Sequence, residues 1–191
     1  MKLHYLVAAA FSTSIAFPVM ADDMAKYQDE ARKVVKEFAT QLGGELKKEM
    51  EANGPASSIK VCRDIAPAIA SQASRKNGWH VSRVSLKVRN PLLGTPDAWE
   101  QKVLVDFDKR LEKENPANMD FAEIVTEPQG KYFRYMKAIP LQDVCLKCHG
   151  TDEVRAQAAK DILTTEFPHD KATGYTLGQL RGAFTIKRPL F

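Results

Sequence analysis

The chain has 191 residues, with 28 Lys and Arg against 24 Asp and Glu, a formal net charge of +4. That length suffices for one hydrophobic core. The charge is too mild, with basic residues scattered among acidic ones, to imply a nucleic-acid partner, and none is expected. Three cysteines rule out a disulfide-rich scaffold and make each one a question.

The N-terminus reads as a secretory signal peptide over residues 1–21. Lys2 supplies the positive end, Leu6 to Val19 is mostly apolar, and Val19-Met20-Ala21 places small residues before Asp22-Asp23. A membrane anchor is the competing reading, but the apolar run is shorter than the roughly 20 residues a span needs. The expectation is an exported, periplasmic chain without a transmembrane segment, its working domain covering residues 22–191.

From Asp23 to about Met50, Val34, Val35, Phe38, Leu42 and Leu46 recur at helical spacing. Gly43-Gly44 should weaken the middle of this helix, and Asn53-Gly54-Pro55 should end it. A second helix is predicted from Ser57 or Ser58 to Asn77-Gly78, with Ile59, Cys62, Ile65, Ala66, Ile69 and Ala73 on one apolar face. Pro67 lies inside it and should bend it, leaving the Arg63 carbonyl without a donor.

The period then changes to two. Val84, Leu86 and Val88 alternate with Arg83, Ser85, Lys87 and Arg89, as in a half-buried strand closed by Asn90-Pro91. Thr95-Pro96 should open a helix carrying Trp99, Val103, Leu104 and Phe107 inward as far as Asn115-Pro116. Phe121 to Val125 and Lys131 to Ile139 flank the turn Glu127-Pro128-Gln129-Gly130, a hairpin pattern. A helix over Glu153 to Leu163 and a last strand from Gly182 to Lys187 complete an α+β domain, an antiparallel sheet with flanking helices and a long N-terminal helix.

Between hairpin and last helix stands Cys145-Leu146-Lys147-Cys148-His149, the spacing of a c-type haem attachment site. Each thiol adds to one vinyl group of the porphyrin, and the next side chain, His149, is brought under the iron as proximal ligand. A zinc half-site would want a second close pair of ligands. A redox-active Cys-x-x-Cys pair would normally start a helix in a βαβ context. Cofactor and metal-ligating candidates are therefore Cys145, Cys148 and His149.

Cys62 remains as a lone thiol in an oxidising compartment. It projects from an apolar helix face near the positive end of a helix dipole, which suits a thiolate ligand on the distal side of the iron. It also reads as a small buried hydrophobe. Other candidates for that side are His80, His169, Met119 and Met136, or an open site. Arg83, Lys87 and Arg89, on one strand face, could hold haem propionates or simply face water; Arg134 and Tyr135 carry the same ambiguity. Trp99 and Phe133 could line a haem pocket or belong to the core.

The run Ser82 to Pro91, the segment Pro96-Asp97-Ala98-Trp99-Glu100, the motif Cys145 to Gly150 and the ending Gly174-Tyr175 with Arg181-Gly182-Ala183-Phe184 together resemble the Tll0287-like haem domain. The resemblance covers nearly all of residues 22–191. It implies a PAS-like fold, one covalent haem c, and iron held by His149 on one side and the Cys62 sulfur on the other. A stand-alone cytochrome of this kind would serve low-potential electron transfer or redox sensing with an unidentified redox partner. Reduction would weaken the iron–sulfur bond and open a site for CO or NO. A haem enzyme acting on a sulfur or peroxide substrate is the alternative, although no distal His/Arg pair is evident in the sequence; a haem-free thiol oxidoreductase is a third.

Overall fold

A computed structural model describes residues 18–191. The expected signal peptide lies outside the described residues except at its last few positions, where Pro18 opens the first helix. That helix, α1 (Pro18–Ser57), runs through Gly43-Gly44 and breaks only at Gly54, whose φ of 77° is left-handed and suits glycine. The helix thus starts earlier than the apolar spacing indicated, and helical residues resume beyond Gly54.

After Ser58 the chain makes a π-turn over Val61–Ile65 and continues as α2 (Ala66–Asn77), stopped by Gly78 in the left-handed conformation. The π-turn replaces the interior kink expected at Pro67. Ala66 N–H bonds the Val61 carbonyl, one residue further back than in an α-helix. Pro67 then falls in the first turn of α2, directly after the π-turn.

The first strand, β1 (His80–Val84), is shorter than predicted. Ser85 and Arg89 are buried and Leu86 is 43% exposed, the reverse of a strand continued to Arg89. Ser85 causes the break. Its hydroxyl bonds the carbonyls of Lys87 and Arg181 and accepts from Lys87 N–H, so local bonds replace the ladder. A one-turn helix, α3 (Pro91–Gly94), follows. Next, α4 (Ala98–Arg110) is capped by Asp97 with Glu100 in a reciprocal capping box, rather than by Thr95, and ends before Asn115.

The hairpin forms as predicted from β2 (Asp120–Glu127) and β3 (Gly130–Pro140). Helix α5 (Asp143–His149) carries the cysteine motif, α6 (Gln157–Glu166) begins later than predicted, and β4 (Leu180–Leu190) closes the chain. The sheet is antiparallel in the order β1-β4-β3-β2. One face packs Val81, Phe133, Tyr135, Phe184 and Ile186 against Val34, Val35 and Phe38 of α1 and Ile69 of α2. The other packs Val84, Met136, Ala138, Leu180 and Ala183 against Val103, Leu104 and Phe107 of α4. The α+β expectation, with its long N-terminal helix, holds.

One irregularity matters for the site. Ile139 pairs with Gly182 but Pro140 pairs with Leu180, so Arg181 is the extra residue of a β-bulge. Leu180 and Ala183, three apart, accordingly lie on the same face. Gly182 makes the bulge feasible: its φ is 154°, and a Cβ there would lie 2.3 Å from the Val84 carbonyl oxygen.

Candidate functional site

A cleft of about 1210 Å³ opens beside β1 and β4, and Cys62, Cys145, Cys148 and His149 all line it. Four residues separated by up to 87 positions in the chain thus share one space, larger than the roughly 300–1,000 Å³ of ordinary small-molecule pockets.

Helix α5 positions the motif. Cys145 and Cys148, three apart, share a helix face. Gly150 ends the helix with its N–H on the Leu146 carbonyl at 2.9 Å, and a Cβ there would sit 2.7 Å from that oxygen. The segment after α6 then clamps the motif: Gly174 N–H bonds Gly150 O at 2.9 Å and Tyr175 N–H bonds His149 O at 3.0 Å.

The His149 ring is fixed more tightly still. Nδ1 lies 2.6 Å from the Ala172 carbonyl oxygen. A carbonyl only accepts, so Nδ1 carries the proton and Nε2 keeps its lone pair. Burial, and then the charges of Arg181 and Arg89, hold the imidazole well below its ordinary pKa, hence neutral. A neutral ring with Nδ1–H on a backbone carbonyl is the arrangement of a metal-ligating histidine.

Behind this ring lies a buried ion pair. Arg89 Nε donates to Asp170 Oδ2 at 2.9 Å, with side chains 6% and 8% exposed. Arg89 Nη2 donates to the Cys148 carbonyl at 3.0 Å. Asp170 Oδ1 accepts from Ala172 N–H at 2.8 Å, holding the same residue whose carbonyl takes the imidazole proton. Arg89 and Asp170 therefore fix the motif backbone and its hydrogen-bond acceptor together.

Cys62 reaches the cleft from the π-turn. Burial pushes the Cys148 thiol up to about 11; its side chain packs beside Ile59, Ala159, Leu163 and Phe167.

The remaining sequence candidates separate. Met119 and Met136 are buried in the core beneath α4, and His169 is exposed in its loop. His80 lines the cleft but is exposed at the start of β1. Trp99 packs against Arg134 at 4.5 Å, and Phe133 belongs to the core under α1. Arg134 is held by Asp97, Glu100 and Glu127, and the Tyr135 hydroxyl by Asp120. Arg83, Lys87 and Arg89 do not share a strand face. Arg83 is on β1, Lys87 Nζ bonds the Thr173 carbonyl, and Arg89 is committed to Asp170. Sequence reasoning missed Asp170, Ala172 and Arg181 as parts of the site. Only Arg181 carried a hint, as a basic residue beside a glycine in a strand.

The antiparallel sheet with helices on both faces, and a Cys-x-x-Cys-His helix along a deep cleft, define a PAS-like α+β protein with an open cleft as its candidate site. The chain belongs to the Tll0287-like family, whose model matches residues 17–189. Among solved structures it is similar to the crystal structure of the cyanobacterial heme-protein Tll0287. The two chains are 24% identical, with a TM-score of 0.65, over 92% of this chain and 98% of that one. That likeness establishes the fold. A search of curated proteins gave no match.

Proposed function

We propose that this chain is an exported, periplasmic c-type cytochrome with one covalent haem, acting in low-potential electron transfer or in redox and gas sensing. Cys145 and Cys148 would form the thioether bonds, His149 would be the proximal ligand and Cys62 the distal one. The haem, when bound, supplies a one-electron ferric–ferrous couple, and a thiolate ligand favours the ferric state.

The observation that carries this reading is the His149 ring. It is neutral, its Nδ1 proton is committed to Ala172, and its Nε2 lone pair meets only a long 3.4 Å contact from Arg181 Nε in a cleft shared with three cysteines. The heme-protein relative supports it, since the whole fold is common to both chains. Thiol–disulfide exchange needs a thiol of lowered pKa, and Cys148 is shifted the opposite way. Among the described residues no three His, Cys, Asp or Glu side chains converge as in a zinc site. Nor is any described helix long and apolar enough to cross a membrane.

Optical and EPR spectra of the ferric protein, native beside Cys62→Ser, test the proposal. The expected result is a Soret band with a low-spin thiolate-type signal that disappears in the variant. A native protein without a Soret band, or without the mass of one attached haem, refutes the reading. An unchanged spectrum in Cys62→Ser refutes the distal assignment alone.

A further inference from the structure

Two guanidinium groups in the cleft are not used by anything described so far. Arg83 projects from β1 on the α1 side of the sheet, its guanidinium 5.8 Å from the Phe38 ring centroid. Arg181 stands out of the β-bulge, with its Nε 3.4 Å from His149 Nε2 and its Nη1 3.4 Å from the Lys87 carbonyl, both long contacts. Among the described residues neither has a carboxylate partner. The fully buried arginines of the sheet and motif differ: Arg89 is paired with Asp170, and Arg134 with three carboxylates.

Arg83 and Arg181 are both half-buried and line the cleft together with the cysteine motif. A cleft wall carrying two guanidinium groups without carboxylate partners suits a ligand with two anionic groups. The bulge adds a second line of argument. Without the extra residue, strand alternation would turn Arg181 toward α4 with Ala183; the irregularity redirects a cation into the cleft.

We propose that Arg83 and Arg181 hold the two propionate groups of the haem, one carboxylate each, an inference that rests on the haem reading above. Planar guanidinium forks match carboxylates in two-point hydrogen bonds. Arg89, paired with Asp170 and bonded to the Cys148 carbonyl, is assigned instead to positioning His149. On this assignment Arg181 would exchange its long contact with His149 Nε2 for a propionate carboxylate, leaving that nitrogen free to hold the iron.

The test is an infrared titration of the holoprotein, following the carbonyl band of protonated propionic acid from about pH 8 to about pH 4. In the native protein the propionates should stay ionised below the ordinary carboxylate range. In Arg83→Gln and in Arg181→Gln the protonation of one propionate should move up by about 1–3 pH units. Arg83→Lys and Arg181→Lys should restore most of the native behaviour. Glutamine variants that titrate like the native protein, at normal haem content, overturn this assignment and leave the haem reading intact. A native protein with no attached haem overturns both. Should a glutamine variant fail to fold, the native titration decides: propionates that protonate in the ordinary range overturn the proposal, and propionates held ionised below it support it.

Discussion

Asp170→Asn removes the negative charge behind the candidate iron ligand and changes little else, since the amide oxygen can still accept from Ala172 N–H. The structure sets the size of the effect. With side chains 6% and 8% exposed and a 2.9 Å contact, the Arg89–Asp170 pair is screened little by solvent. Deleting one partner leaves the Arg89 guanidinium buried with the Cys148 carbonyl as its main neighbour, at a cost of about 3–5 kcal/mol. For a domain of this size that corresponds to a fall in Tm of about 6–20 °C. Urea and thermal unfolding of the holoprotein measure it. The double variant Arg89→Met/Asp170→Asn should lose less than Asp170→Asn alone, because no unpaired charge remains. An internal control is Glu37→Gln. Its pair with Lys76 is 65% exposed on both sides, so its loss should stay below about 1 kcal/mol. If Asp170→Asn costs no more than Glu37→Gln, the buried pair is not what secures the motif, and the positioning argument for His149 fails.

Other expectations follow from single residues. Gly182→Ala should destabilise by at least about 2 kcal/mol, because φ is 154° and the new methyl would meet the Val84 carbonyl at 2.3 Å. Gly43→Ala, with open space around its Cβ position inside α1, should instead stabilise by about 0.5–1 kcal/mol; denaturant midpoints of the two variants should move in opposite directions. For Asp120, burial raises the carboxyl pKa, but hydrogen bonds from Arg32 and Tyr135 outweigh it and hold the group below its usual value. A folded pKa below the unfolded one gives stability that is present above about pH 4 and lost as pH falls through the folded value. Unfolding free energy measured down the acid limb should therefore decline less steeply in Asp120→Asn than in the native chain. An identical slope in both would remove Asp120 from the acid-sensitive groups.

Local signals in the chain proved legible where one cause dominated. The hairpin follows from alternation around Pro128-Gln129-Gly130, and the helix stop from Gly78. The Cys145-to-His149 motif and Cys62 were legible as candidates because spacing and count single them out, and all four line the cleft. Strand β1 was overextended because alternation of residue types continues to Arg89, while Ser85 diverts the backbone with its own hydroxyl. The role of Arg89 was hidden for a different reason. Its partner Asp170 lies 81 residues away in a loop, and no local pattern marks such a pairing. The π-turn at Cys62 was partly visible: Pro67 announced a defect in the helix, but not that the defect would move back by a turn and take in the cysteine.

Gly182 links the fold to the cleft more directly than any charged residue does. Lacking a side chain, it lets β4 approach the end of β1 closely enough that Val84 O occupies the space of a Cβ. That approach accompanies the extra residue in β4, and the extra residue is Arg181. Ser85, just past the same contact, bonds the Arg181 carbonyl at 2.8 Å and thereby both ends β1 and secures the bulge. The chain released from β1 at this point leads to Arg89, which reaches back to the Cys148 carbonyl and to Asp170. A strand that continued regularly to Arg89, as the alternation of its residues suggests, would keep Arg89 in the sheet. The break at Ser85 is thus a condition for the site, because it frees Arg89 to hold the motif while Arg83, still inside β1, remains on the cleft wall.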